Sequence, residues 1–247
     1  MTIQVVSLAE RPELADRIGE LEGESFPEYI NAEPTWEACF PKILDVLAHL
    51  QVFLVEEETD ELLALICNSA FKWDGDTATL PGYNDMLRTT LLENEQDITP
   101  NVLCGIMGII PEKHQRKGVS KKLYQVMLQL TERYNFKYVL SPVRPTLKQR
   151  YPNFTTEEYL SWKTADGRAF DPWIRSNESM APKFLSIAHN SINISADIDQ
   201  WQRWCDMEFP ASGEYVIPDG HKLLKVDREN DVAFYGEDHV WYSYPVK

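Results

Sequence analysis

Basic residues are in short supply: 24 lysines and arginines stand against 39 aspartates and glutamates, a formal net charge of −15 over 247 residues. A surface of that sign repels nucleic acid and anionic membranes, so neither is an expected partner. Cysteine is equally sparse. Cys39, Cys67, Cys104 and Cys205 lie far apart with no C-x-x-C pair, which excludes a thiolate zinc cluster and a disulfide framework. His49, His114, His189, His221 and His239 show no metal-ligand spacing, so no metal is expected. No apolar run approaches the roughly 18 residues a membrane span needs. The first residues also lack the long apolar core of a leader peptide. The expectation is a soluble, cytoplasmic protein. A G-x-S-x-G elbow is missing, and with it the usual sign of a serine hydrolase. Without Gly/Ser-rich linkers, low-complexity tracts or repeats, the chain reads as one domain over 1–247.

What is present is concentrated between Asn101 and Tyr134. Val102 to Ile110 is a nearly unbroken apolar run, as in a strand buried on both faces, and Pro111 ends it. Five cations follow within ten residues: Lys113, Arg116, Lys117, Lys121 and Lys122. Gly118 sits where a backbone without a Cβ can turn sharply. Val119, Leu123, Val126, Met127, Leu130 and Tyr134 then recur at helical spacing. A strand, a glycine turn and a helix N-terminus make a natural anion site, because the first amides of a helix lack intrahelical partners. In a chain this acidic, such a local positive patch suits a polyanionic ligand.

The turn Gln115-Arg116-Lys117-Gly118-Val119-Ser120 resembles the Q/R-x-x-G-x-G/A pyrophosphate loop of the GNAT superfamily, the Gcn5-related N-acetyltransferases. Ser120 replaces the usual last Gly or Ala, and four residues rather than three separate Pro111 from Gln115. The resemblance implies an α/β (α+β) fold with a mixed, largely antiparallel sheet and helices on both faces. The sheet splays at the two strands that flank the motif helix. It further implies that Gln115, Arg116, Lys117, Gly118, Val119, Ser120 and Lys121 hold the pyrophosphate of acetyl-CoA or another acyl-CoA. The backbone of Gly108, Ile109 and Ile110 would hydrogen-bond the pantetheine arm. The acceptor would be an amine of a small molecule or a protein, and a homodimer is left open.

Elsewhere the pattern predicts a first strand over 3–8, a helix after Pro12 and a second helix over 35–50. Strands follow at 51–56 and 62–73. The polar insert of about 74–100 is expected to carry one helix near 83–94 and reads as a surface excursion rather than a lid. The next parallel strand is expected at 138–143. An aromatic-rich C-terminal elaboration covers about 144–247, beyond a core of about 1–195. There, Thr155 and Asp171 read as helix caps. The second of these helices is predicted over 171–188, with Pro182 kinking or breaking it. Strands are expected at 192–195, 215–217, 223–226 and 239–244, with a short helix at 197–206. The P-x-R-P-T-x-K-x-R-Y-P and D-G-x-x-F-D-P-W segments look like an extension of a bacterial GNAT-like subgroup.

Acyl transfer from a thioester needs a positioned carbonyl, a deprotonated amine and a proton for the thiolate. Many GNAT enzymes carry an Asn on the helix after the second parallel strand and an acidic Tyr seven residues on. Here Asn177 is followed by Phe184, so that phenol is missing. Thr146 and Asn177 are the candidate catalytic residues, placed to hold a carbonyl or enolate oxygen. That pair leaves room for a GNAT-like acyl-CoA decarboxylase that loads carrier proteins, or for a non-catalytic CoA-binding module. His114 is expected beside phosphate, and Cys104 as a buried structural thiol.

Overall fold

A computed structural model describes residues 2–115 and 117–246, apart from the side chain of Glu24; Arg116 lies outside the described residues. The nine strands are β1 (Ile3–Ser7), β2 (Val52–Glu56), β3 (Leu62–Phe71), β4 (Val102–Ile109), β5 (Tyr138–Val143), β6 (Lys183–Ala196), β7 (Gly213–Tyr215), β8 (Leu224–Asp227) and β9 (Val232–Tyr244). The helices are α1 (Ala15–Ser25), α2 (Glu28–Asn31), α3 (Pro34–Val46), α4 (Tyr83–Glu95), α5 (Val119–Tyr134), α6 (Thr156–Ser161), α7 (Pro172–Asn177) and α8 (Ile198–Cys205). All strands join one sheet in the order β1-β2-β3-β4-β5-β9-β8-β7, with β6 on the other edge of β9.

Every pairing is antiparallel except β4 with β5. That parallel register covers only Val102 with Tyr138, Leu103 with Val139 and Cys104 with Leu140. Beyond it Ser141 Oγ donates to the Gly105 carbonyl at 2.8 Å, and then the two strands part. On its β3 side, β4 stays paired through Ile109, with a bulge at Ile106 between the pairs Asn68–Gly105 and Cys67–Met107. A bulge bends its strand and leaves one residue without an opposite partner. The expected splay is therefore present, and it opens at a defined irregularity.

α5 closes one side of this split. Val119, Leu123, Val126, Met127, Leu130 and Thr131 are its buried residues, following the stripe seen in the sequence. Its end is set by Asn135, whose left-handed backbone (φ 57°) terminates the helix. All four cysteines are free and buried, and burial raises the Cys104 thiol well above its ordinary value, as suits a structural thiol. Among the described residues, no helix is long and apolar enough to cross a membrane.

Two expectations fail. The helix predicted over 171–188 stops at Asn177, continues as a single 3-10 turn to Met180, and breaks at Ala181 in a left-handed conformation (φ 49°). Pro182 cannot give an amide to a continuing helix, and from Lys183 the chain is strand β6, paired with β9 from Lys183–Ser243 to Ala196–Ala233. The helical spacing of Trp173, Met180, Phe184 and Ile187 was a coincidence of two elements. The second failure is the insert. α4 is no surface excursion: it buries Tyr83, Asn84, Met86, Leu87 and Thr90, and packs on α3, β3 and β6. Its scattered polar residues hid an apolar stripe at i, i+3 and i+4.

Candidate active site

The cationic turn lies at the head of α5. Gly118 is in the left-handed region (φ 78°) and is the residue preceding the helix, with no capping side chain. An ideal Cβ on Gly118 would meet nothing within 4 Å, so the outer side of the turn is open space. Lys117 and Lys121 are exposed around it, and Ser120 is half-buried. Gln115 is exposed and closes the corner. Its backbone N–H donates to the Glu112 carbonyl at 3.1 Å and its Nε2 to the Ile110 carbonyl at 3.2 Å. His114 is buried with Nε2 3.2 Å from Glu61 Oε1, and Lys113 pairs with the same carboxylate. The sequence sets His114 beside phosphate; the structure lays its ring against the carboxylate of Glu61, just before β3. Gly108 and Ile109 pair with Ile66 and Leu65 on one edge, while their other edge lies beyond the last β5 partner. Ile110 follows the end of the strand, with its carbonyl taken by Gln115.

Thr146 is exposed at the corner after β5. Its neighbour Leu147 donates its N–H to Asp171 Oδ2 at 3.0 Å, and Asp171 Oδ1 caps α7 through the amides of Trp173 and Ile174. One carboxylate thus fixes the loop and the helix that carry the two candidates. Asn177 is buried at the last position of α7, where Nδ2 donates to the Trp173 carbonyl at 2.9 Å. Among the described hydrogen bonds none joins Thr146 to Asn177. Phe184, half exposed on β6, is not on the helix that carries Asn177, so their seven-residue spacing has no meaning here. Phe184→Tyr should leave turnover unchanged within about twofold; a large gain in kcat would restore the phenol-acid argument.

Two cations of the loop after β5, Arg144 and Lys148, turn inward. Arg144 Nε donates to Glu237 Oε1 at 2.5 Å and Nη2 to the Asp219 carbonyl at 3.2 Å. Lys148, fully buried, donates to the carbonyls of His221 and Tyr151 at 2.7 and 3.0 Å, and burial lowers its ammonium to about 8. They stitch this loop to the segment that holds Asp219 and His221.

Sequence reading missed what β9 contributes. Tyr235, Glu237, His239 and Trp241 alternate along it and meet groups from α2, α4 and α8. Tyr235 packs on Tyr29 and Trp201 at 5.3 and 6.1 Å between ring centroids, and Tyr83 stacks on His239 at 5.0 Å and 20°. Trp241 Nε1 donates to the Pro81 carbonyl at 2.9 Å. Glu237 has no exposed surface. Burial alone would raise its carboxyl, but the Arg144 guanidinium overrides that and holds it at about 2. His221 and His239 are buried beside it, each with one ring nitrogen, Nε2 and Nδ1 respectively, that has no hydrogen-bond partner among the described residues. Burial lowers both imidazoles, His239 to about 4. The available signal was the period-two set of polar residues within an aromatic strand, which was read as beginning only at His239.

No protein-family model matches the chain. A curated relative, the arginine N-acetyltransferase avaD of Aspergillus versicolor, is 26% identical over 250 residues, covering 90% of this chain and 85% of the relative. Among solved structures, the loading GNATL domain of CurA from Lyngbya majuscula superposes with a TM-score of 0.62 at 15% identity, covering 99% of this chain and 98% of that one. The GphF GNAT-like decarboxylase, solved in complex with isobutyryl-CoA, gives 0.59 at 14% identity, covering 100% of both chains. These two likenesses establish the fold, and the curated relative matches along nearly the whole sequence. The chain shares the fold of these GNAT-like domains.

Proposed function

We propose that the protein is an acyl-CoA-dependent N-acetyltransferase whose acceptor is the amine of a small cationic molecule of the arginine class. The observation that carries the reading is the left-handed Gly118 opening onto free space at the uncapped head of α5, next to a β4 edge that loses its β5 partner after Cys104. Unpaired helix amides and two exposed lysines favour a diphosphate, and an unpaired strand edge needs hydrogen bonds from something. In this reading the amides of Lys117 to Lys121, with the charge of Arg116, hold the pyrophosphate, while Gln115 shapes the corner. Gly108, Ile109 and Ile110 carry the pantetheine arm into the split. Thr146 and Asn177 serve as polar groups near the thioester carbonyl. The arginine class of acceptor is supported by the relative's name and by the acidity of the chain.

The chemistry is direct. The amine nitrogen attacks the thioester carbon, the carbon–sulfur bond breaks, and the amine's proton ends on the CoA sulfur. The test is release of free CoA from acetyl-CoA with and without arginine, its esters, polyamines and peptide N-termini. Amine-dependent release is expected; release of carbon dioxide from malonyl-CoA without any amine would establish the decarboxylase instead. In the same assay, Thr146→Val should lower kcat roughly tenfold, the loss of one hydrogen bond to the developing oxyanion. Unchanged turnover would remove Thr146 from the mechanism.

A further inference from the structure

We propose that His239 is a catalytic residue of this transfer, accepting the proton of the acceptor nitrogen through Nδ1, with Tyr83 as the positioning residue that holds its ring in the interior beside the split. The inference rests on the split being the thioester site. Tyr83 is pinned three ways. Its backbone N–H donates to Ser191 Oγ at 2.6 Å, its hydroxyl to the carbonyl of Ile106 at 3.2 Å, and its ring lies against His239. Ile106 is the bulged residue of β4, just past the point where β5 departs. Tyr83 therefore spans the opening on the α4 side and fixes the imidazole next to it. His239 pairs with Ala188 on β6, and its register on β9 puts it one residue beyond the Val240–Val143 pair, at the end of β5.

A buried imidazole nitrogen with no partner is costly. Nδ1 of His239 is such an atom, in a residue only 3% exposed. A second independent orphan, His221 Nε2, belongs to the same polar cluster. His221 Nδ1 faces Glu237 Oε1 at 3.7 Å, which favours the proton on that nitrogen and leaves Nε2 a bare acceptor. An amine or guanidinium would supply the missing donors. The charged groups around His239 are Glu237 and Asp238 on its own strand and Arg144 after β5; from α4 it meets only the Tyr83 phenol. Burial, reinforced by Arg144, outweighs the two carboxylates and keeps the ring neutral near pH 7. A neutral ring has its lone pair ready. Once the carbon–nitrogen bond forms, the nitrogen is cationic and more acidic than the free ammonium, and the imidazole relays its proton onward to the thiolate. The same proton then passes to the departing thiolate, which restores the neutral imidazole and yields amide and CoA thiol.

The test uses the full chain with acetyl-CoA and the amine it turns over. His239→Gln should lower kcat by about 100-fold or more, the usual contribution of a general base, while the Kd for CoA stays within about twofold. Tyr83→Phe, which loses the tether to Ile106 but keeps the ring, should lower kcat by a smaller factor, about tenfold, with the KM for acetyl-CoA unchanged. Retention of more than a third of wild-type kcat by a folded His239→Gln protein overturns the proposal. Should that variant not fold, 15N-histidine spectra of the wild type decide: saturating amine with a non-reactive CoA thioether must shift the His239 Nδ1 resonance, and an unmoved resonance overturns it. Failure of the wild type to bind any CoA ester would instead sink the N-acetyltransferase reading, and the two failures are separable because CoA binding is measured without His239 chemistry.

Discussion

Gly118→Asp is expected to weaken CoA binding by on the order of 100-fold while leaving the melting temperature unchanged or slightly raised. The two effects have opposite signs because they act on different charges. A Cβ at this position meets nothing within 4 Å, so no packing is disturbed. Aspartate is among the residues that enter the left-handed region at modest strain, about 1 kcal/mol. An acid at the position before the first helical residue also satisfies a free amide and complements the helix dipole, offsetting that strain. A bound diphosphate would meet the same carboxylate at close range. Two like charges about 4 Å apart repel by up to about 4 kcal/mol near a protein surface, and solvent screening leaves roughly 2–3 kcal/mol of that. Each 1.4 kcal/mol is about tenfold in Kd. Gly118→Ala, which adds strain without charge, should cost only a few-fold. Calorimetric titration with CoA, alongside thermal melts, separates these outcomes. Near-native affinity in the aspartate variant would mean that CoA does not use this turn.

The strands and helices around this turn were legible in the sequence because each was written in local terms. The apolar run of β4, the proline that ends it, the glycine, and the stripe of α5 are patterns within about 15 residues of one another, where periodicity is informative. The caps at Thr155 and Asp171 were legible for the same reason. Thr155 forms a full capping box with Glu158, and Asp171 accepts from the amides of both Trp173 and Ile174. What failed was decided by distant partners. β6 is a strand because β9, some fifty residues away, offers it a ladder over nearly all its length; its own residues carry a weak and misleading helical spacing. α4 read as solvent-exposed because it is polar overall, yet Asn84 is buried, with Nδ2 donating to the buried Glu33 at 3.0 Å, and Thr90 is buried against Ser69. Polar residues satisfied by long-range bonds look like surface in a sequence. The candidate base followed the same rule. His239 is ordinary in its local context and becomes unusual only when Tyr83, 156 positions earlier, is laid against it.

Arg144→Ala should be the most destabilising single change in this cluster, lowering stability by about 3–5 kcal/mol and the melting temperature by roughly 10 °C for a chain of this size. Glu237 has no exposed surface, and Arg144 supplies two of its hydrogen bonds, to Oε1 at 2.5 Å and to Oε2 at 3.3 Å. Tyr235 gives a third at 2.6 Å, but a neutral phenol cannot compensate the charge. The pH dependence carries the proof. In the wild type the Glu237 carboxyl titrates at about 2, below its ordinary 4.5. A depressed acid contributes stability that is fully present above about 4.5 and is lost as pH falls toward about 2. Without Arg144 the dominant remaining influence on Glu237 is burial, which raises the carboxyl. The sign then reverses: the folded variant binds the extra proton, so it gains stability relative to wild type as pH falls from 7 to about 5. Paired melts across that interval should show the gap between the two proteins narrowing. Replacing both members, as in Arg144→Met with Glu237→Leu, should recover much of the loss, because removing a buried pair together leaves no stranded charge. A constant gap across that pH interval would show that Arg144 stabilises the fold by packing alone, and that Glu237 is neutral in the native protein.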